Sequence, residues 1–384
     1  MAPRHSGKMA VLVTLAMIII FSVDRTLLVS NSMFSSMMSQ EEQSMVESAA
    51  FVFSGTSSGL AANAGAPRNY YTDKENFRLA YEQSYGYFDD ITNADWMKRQ
   101  EMHSLVFPNH DSPHFTKYSH EHFPSSGKQI SKEEKYKILT LSGSWFADNF
   151  QVEFTCPLSR RVPTAVSGDG PKWVCDPHRL KNKKDCLVYS VGSNGNVFFE
   201  QSVRNEVGEH CEIHTFDVIS QNARHGDFAE ALKGLSTFHH WGLAPDSDAP
   251  DPRYKSLQQT MKELGHEGRS IDLFKIDCEW CEWTTFSDWL TVDMRQILVE
   301  VHNAPMPHAR DFFYELHDAG YVIFSKEANY LATGSCSEYA FLKLHPDFFV
   351  NNTRYSTNPK TKDYYAQIKN ARFPFGGSTA EVAA

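Results

Sequence analysis

The 384-residue chain has no internal repeat, no surplus of positive charge and no G-x-G-x-x-G turn. Without a repeat it is not an array of stacked units. With 37 Lys and Arg against 47 Asp and Glu, the formal net charge is -10, and a field of that sign repels phosphate backbones. No nucleic acid is therefore expected as a partner, and the short basic run Lys181, Lys183, Lys184 reads as a solvated loop. The missing G-x-G-x-x-G counts against a nicotinamide-dependent oxidoreductase, whose phosphate-binding turn usually carries it. Long apolar runs are scarce too. One stands out, from Met9 to Val23, and no clear small-x-small cleavage site follows it near Ser30.

That run has Arg4, His5 and Lys8 before it and Asp24-Arg25 after it. A positive head followed by an apolar run is a secretory signal or a signal anchor. Its fifteen residues span roughly 22 Å as a helix, against about 30 Å of hydrocarbon, and Thr26 to Val29 can extend it. The expectation is an uncleaved single-pass anchor over residues 1–30, with the rest facing the ER or Golgi lumen. If the segment is cleaved, the protein is secreted. A targeting signal for another organelle stays open. Seven cysteines fit a lumenal site: Cys156, Cys175, Cys186 and Cys211 lie close enough in sequence to pair there, and the odd count leaves one thiol over. Asn351-Asn352-Thr353 is a glycosylation sequon that matters only on the secretory path. Cys278-x-x-Cys281 lacks the second ligand pair that a zinc site needs, so it reads as packing rather than zinc or redox chemistry.

Hydrophobic residues make up 41% and aromatics 13%, enough for a sizeable packed core. Residues 31–68, rich in Ser, Met, Ala and Gly, read as a flexible linker. Residues 69–135 form a polar, aromatic extension with helical signals near Asn76 to Tyr85 and no assignable role. Residues 351–384 read as a polar tail. Between them, over residues 136–350, strand and helix patterns alternate. "CLVYSV", "CEIHTFDV", "LSTFHHWGLA", "IDLFKID" and "QILVEVH" are strand-like. Helical spacing separates them, as at Phe199, Val203 and Val207, or at Leu257, Met261 and Leu264 before Gly265. "YVIFSKE" and "EYAFLKL" follow one another with no room for a helix, so they are predicted as an antiparallel edge hairpin. The pattern is α/β, a doubly wound, mostly parallel sheet.

In such a sheet ligands bind beyond the carboxyl ends of the strands, at the switch point. Four groups end strands there. Gly192-Ser193-Asn194-Gly195 lets backbone pass close to a ligand and presents helix N–H groups, although the same turn can be merely tight. Asp217 ends the next strand, 22 residues after Gly195, about where a carboxylate takes hydrogen bonds from ribose hydroxyls; a helix cap is the plainer reading. Asp277, with Glu279 beyond it, ends "LFKID". Glu300 and His302 flank Val301, and His302 can equally be a structural histidine.

"VYSVGSNGNVFFE", "CEIHTFD", "IDLFKIDCEWCEW", "ILVEVH" and the earlier "GDGPKWVCDP" together resemble the methyltransferase-like family of S-adenosylmethionine-dependent enzymes, over about 155–345. The resemblance implies a class I methyltransferase fold with a seven-stranded sheet, and S-adenosylmethionine as cofactor. It implies that Gly192 to Gly195 lie against the cofactor's methionine and ribose, that Asp217 binds the ribose, and that Asp277 lies near the methyl-transfer centre. Trp280 stands where the family pattern has glycine, which puts a bulky ring beside the site. The expected reaction is O-methylation of a glycan or small-molecule hydroxyl by a membrane-anchored enzyme. A non-catalytic module that only binds S-adenosylmethionine is the alternative, with the oxidoreductase behind it. The acceptor hydroxyl must lose a proton, a task that suits a neutral histidine near pH 7. His302 is thus the expected base, Asp277 its substitute and Glu300 an orienting group. A divalent metal on Asp277 and Glu279 is another route, but no spacing singles one out and none is expected.

Overall fold

The computed structural model describes residues 74–107, 131–164, 170–218, 228–245, 251–304, 308–329 and 335–349. The expected anchor, linker, tail and sequon lie outside these residues. Among the described residues no helix is long and apolar enough to cross a membrane.

Seven strands form the main sheet: β1 Leu187–Val191, β2 Glu212–Phe216, β3 Thr237–His239, β4 Ile271–Ile276, β5 Met294–His302, β6 Tyr321–Asn329 and β7 Cys336–Lys343. Their spatial order is β6-β7-β5-β4-β1-β2-β3. Strands β1 to β5 run parallel, and β7 is antiparallel to both β5 and β6. This is the expected mostly parallel sheet with its edge hairpin. The strand order reverses at β1 and β4, so a crevice opens beyond their carboxyl ends.

Side chains alternate across the sheet with the period of two that a strand imposes. On one face Tyr189, Val191, Phe274, Ile276, Ile297, Val299 and Val301 join a single apolar cluster; on the other, Val188, Ile213, Leu273, Leu298, Val322 and Leu342 join a second. Both faces are covered, which is why the parallel strands read as nearly continuous apolar runs. The longer helices among the described residues are α1 Lys74–Gln83, α2 Asn93–Val106, α3 Lys132–Asp148, α4 Phe198–Glu206, α5 Leu257–Glu263, α6 Glu282–Trp289 and α7 His308–Asp318. Helix α5 starts on a capping box between Ser256 and Gln259, and Gly265 (φ +71°) follows its end in the left-handed region.

The sequence left residues 69–135 without a role, and their described part has a structural one. Ala80, Phe88, Ile91 and Trp96 are buried in the second cluster beside strand residues. Trp96 Nε1 donates to Gln83 Oε1 at 2.6 Å, and Gln296 of β5 donates to Tyr87 Oη at 2.9 Å. Helices α1 and α2 therefore close one face of the sheet. Disulfides join Cys156 to Cys175 and Cys186 to Cys211, the latter tying together the residues just before β1 and β2. Cys278 and Cys281 also form a disulfide, so the packing of two free thiols expected there is replaced by a covalent link. Cys336 is a free thiol.

Candidate active site

The backbone builds the first half of the site. Gly192 follows β1 with φ +72°, and its N–H donates to Phe216 O at 2.9 Å. A Cβ at Gly192 would sit 1.8 Å from the carbonyl oxygen of Asp277, so no other residue fits where the β1 and β4 loops cross. Asn194 (φ +47°) and Gly195 (φ +77°) keep the chain in the left-handed region. Asp217, at the end of β2, reaches under this turn. Its Oδ2 accepts the amides of Ser193 and Asn194, both at 2.8 Å. Lys275, in β4, donates to Gly192 O at 2.5 Å and Val191 O at 3.3 Å. The turn is thus held from one side by a carboxylate and from the other by an ammonium group. Burial lowers the pKa of that ammonium, and the nearby Asp277 opposes the loss of charge.

Charged side chains build the second half. Lys172 comes from the short hairpin Arg160–Val162/Lys172–Val174, which precedes β1 and pairs antiparallel. It is 1% exposed, and its Nζ lies 2.6 Å from Glu338, 3.3 Å from Asp277 and 3.7 Å from Glu300. Burial opposes its charge, but those three carboxylates outweigh burial and hold the ammonium protonated. Burial would likewise neutralise Asp277, yet Lys172, Lys275 and His302 hold its carboxyl well below the usual range. Glu300 goes the other way: burial and repulsion from Asp277 and Glu338 push it up to about 9. Glu300 Oε1 accepts Asn329 Nδ2 at 2.9 Å.

His302 closes β5 beside this cluster. Glu282, fully buried in the first turn of α6, takes both its backbone N–H at 2.8 Å and its Nδ1 at 2.9 Å. Its Nε2 lies 3.8 Å from Asp277 and 3.6 Å from Glu279. Burial pulls the ring's pKa down, but Glu282, Asp277 and Glu300 overcome it and raise the value to about 10. At neutral pH the ring is an imidazolium. The surrounding carboxylates thus favour the charged ring over the neutral base expected at His302. Glu300, protonated at neutral pH, can donate a hydrogen bond.

The loop between Asp277 and α6 is the most constrained stretch. Glu279 (φ +53°) and Trp280 (φ +91°) are both left-handed, and the Cys278–Cys281 disulfide spans them. A positive φ on tryptophan costs on the order of 1–3 kcal/mol. The indole offsets it by burial, since it is 8% exposed and belongs to the core cluster. The tryptophan thus keeps the backbone conformation that glycine adopts freely.

Beyond the strand ends, then, lie a glycine turn braced on an aspartate and a buried charged cluster one strand away. The sequence matches a methyltransferase-domain family over residues 78–343, well over half of the chain.

The chain belongs to this family.

The methyltransferase is also similar in structure to fibrillarin from Aeropyrum pernix, solved with natively bound S-adenosyl-L-methionine. That similarity has 11% identity, covers 42% of this chain and 68% of that one, and has a TM-score of 0.31. It is similar to a SAM-dependent methyltransferase from Aquifex aeolicus (15% identity, 44% and 89% covered, TM-score 0.26) and to an rRNA methylase from Streptococcus thermophilus (10%, 42% and 89%, 0.28). No curated protein sequence matches. S-Adenosylmethionine is the cofactor of the methyltransferase. The Gly192 crossing, which leaves no room for a side chain, and the amides of the following turn fit a ligand that must approach backbone closely.

The predicted residues all gather at the crevice. The structure adds Lys172, Lys275, Glu282 and Glu338. A lysine inside the apolar run of β4 was a visible signal for Lys275. Lys172 lay within the quoted "GDGPKWVCDP", but nothing local marked it as a partner of residues 105 to 166 positions away. Glu300, His302 and Cys336 could together offer three ligand atoms to a metal. The position between Asp277, Glu300 and Glu338 is already filled by the Lys172 ammonium, and His302 Nδ1 by Glu282.

Proposed function

We propose that this methyltransferase acts on a hydroxyl of a glycan or small molecule, in an oxidising compartment, held to the membrane by its N-terminal apolar run. The pairing of the Gly192–Gly195 turn with Asp217 carries the reading of the cofactor site. In it the turn lies along the methionine and ribose of S-adenosylmethionine, and Asp217 accepts the ribose hydroxyls while bracing the turn. When bound, the cofactor supplies a methyl group on a sulfonium centre, open to in-line displacement. Asp277, kept ionised, accepts a hydrogen bond from the acceptor hydroxyl and aims its oxygen at the methyl group, and the hydroxyl proton passes to solvent as the new bond forms. Lys172 and the imidazolium of His302 hold the Asp277 carboxylate in place. Most of the rate then comes from orientation and proximity. Three disulfides among the described residues support a lumenal or secreted setting, because such bonds persist in oxidising compartments.

Calorimetry with S-adenosylmethionine and its demethylated product tests the cofactor site, and a panel of hydroxyl acceptors tests the chemistry. Asp217→Ala should weaken both cofactor forms by tenfold or more, roughly the loss of one or two good hydrogen bonds. Asp277→Asn should keep cofactor affinity and lose on the order of 100-fold or more in turnover. Absence of binding heat with folded wild-type protein would reject the cofactor site. Binding without transfer to any acceptor would favour a non-catalytic module.

A further inference from the structure

A second group of polar side chains lies at the other end of β2 from Asp217. Glu212 opens the strand, His214 stands two residues on, and His266 arrives from the connection between α5 and β4. Glu212 Oε1 lies 3.0 Å from His214 Nε2 and 3.1 Å from His266 Nε2. One oxygen and two imidazole nitrogens thus lie within 4.8 Å of one another. Donor atoms on one tetrahedral zinc, at bonds of about 2.0–2.1 Å, lie roughly 3.3 Å apart. The two spacings to Glu212 Oε1 need adjustment by only a few tenths of an ångström, and the two imidazole nitrogens lie within 4.8 Å of each other.

The surroundings match what such ligands require. A ligating histidine is normally held through its other ring nitrogen. His214 Nδ1 lies 2.8 Å from His239 Nε2, and His266 Nδ1 lies 2.7 Å from Tyr189 Oη. A ligating carboxylate is normally held through its other oxygen. Arg269 donates to Glu212 Oε2 at 2.6 Å, leaving Oε1 to the histidines. With no ion, both Nε2–H groups donate to Glu212, and His239 and Tyr189 donate to the Nδ1 atoms. With an ion, the Nε2 lone pairs turn to the metal, and the Nδ1–H groups donate to His239 and Tyr189. Both tautomer sets satisfy the hydrogen bonds named here with neutral rings, so the ion needs only a tautomer change and a small shift of the Glu212 carboxylate. Both histidine rings are buried, whereas the Glu212 side chain is 44% exposed, which gives the ion a way in.

We propose that Glu212, His214 and His266 bind a divalent cation of the zinc class, with solvent in the fourth position. Two imidazoles and one carboxylate suit zinc or cobalt better than magnesium or calcium, which take oxygen ligands. The site is separate from the crevice and does not rest on the proposed reaction. It would clamp the α5–β4 connection to the start of β2.

The test uses untagged protein stripped with chelator and titrated with Zn²⁺ by calorimetry, with bound metal counted by mass spectrometry. One Zn²⁺ per chain is expected. Glu212→Gln and His266→Ala should each weaken it by about 100-fold or more, as loss of a direct ligand exceeds the effect of losing a supporting residue. Co²⁺-loaded wild-type protein should show a tetrahedral ligand-field absorption that both variants lack. S-Adenosylmethionine binding by Glu212→Gln should equal that of wild type, which separates this site from the crevice. Should His266→Ala fail to fold, Glu212→Gln decides, because its side chain is partly exposed. Absence of stoichiometric Zn²⁺, or unchanged affinity in Glu212→Gln, overturns the proposal.

Discussion

The two ends of the main sheet bury histidines among carboxylates, and the histidines respond in opposite directions. His302, at the crevice, meets Glu282, Asp277 and Glu300 and rises to about 10. At the far group, burial drives His214 down despite its contact with Glu212. Burial and the adjacent His214 take His239 down to about 4. Both places desolvate the ring, which favours the neutral form. The difference lies in the carboxylates. Near His302 they come from three elements and two are almost fully buried, so their field is little screened. Near His214 the Glu212 side chain is 44% exposed and paired with Arg269. A buried imidazole is therefore cationic or neutral according to how many dry carboxylates face it, not according to its own burial.

The largest effect should come from removing the cation that holds the crevice together. Lys172→Met leaves Asp277, Glu300 and Glu338 facing one another in a dry site, and should cost about 3–5 kcal/mol of stability. Glu212→Gln at the half-exposed group should cost no more than about 1 kcal/mol. Denaturant unfolding of the two variants measures the contrast, and similar losses would break it.

The pH dependence of stability is the next discriminator. His302 is raised above its unfolded value of about 6.5, so its contribution is complete below that pH and fades as pH climbs towards 10. Glu300, raised from about 4.5 to about 9, loses its contribution over a wider window, from about pH 4.5 upward. His239, lowered to about 4, acts oppositely: its contribution is complete above about pH 6.5 and is lost as pH falls towards 4. Between about pH 4.5 and 6.5 Glu300 and His239 therefore oppose each other, so unfolding free energies should change little there and decline above about pH 6.5. Glu282→Gln should flatten the alkaline decline, and His239→Phe should leave stability rising as pH falls below about 6.5. A wild-type profile that climbs above about pH 6.5 would contradict the raised values of His302 and Glu300.

A smaller effect than that of Lys172→Met is expected at Trp280. Replacement by glycine relieves a left-handed tryptophan, on the order of 1–3 kcal/mol, but gives up a buried indole worth about 3–5 kcal/mol. The net loss of about 2 kcal/mol should lower the melting temperature by a few degrees. A loss as large as that of Lys172→Met would show that the ring, rather than the charged cluster, organises the crevice.

Much of the architecture was legible in the sequence. The apolar runs of β1, β2, β4 and β5, the unseparated pair β6 and β7, and the Gly192 turn all follow from local periodicity and local conformation. So did the acidic strand ends, since a strand that ends in a carboxylate delivers it to the crevice. The protonation states were not legible. His302 looked like a neutral base because the sequence shows its neighbours Glu300 and Val301, but not Glu282 twenty residues earlier or Lys172 beyond that. The packing role of α1 and α2 was hidden for the same reason: their polar, aromatic composition says nothing about which sheet face lacks cover.

The order of residues alone determined the strands, the tight turn and the positions where acids can emerge, because each depends on neighbours within a few residues. The folded chain decided which charges share one dry space. Electrostatic energy depends on separation and on exclusion of water, and both are set by contacts between segments far apart along the chain.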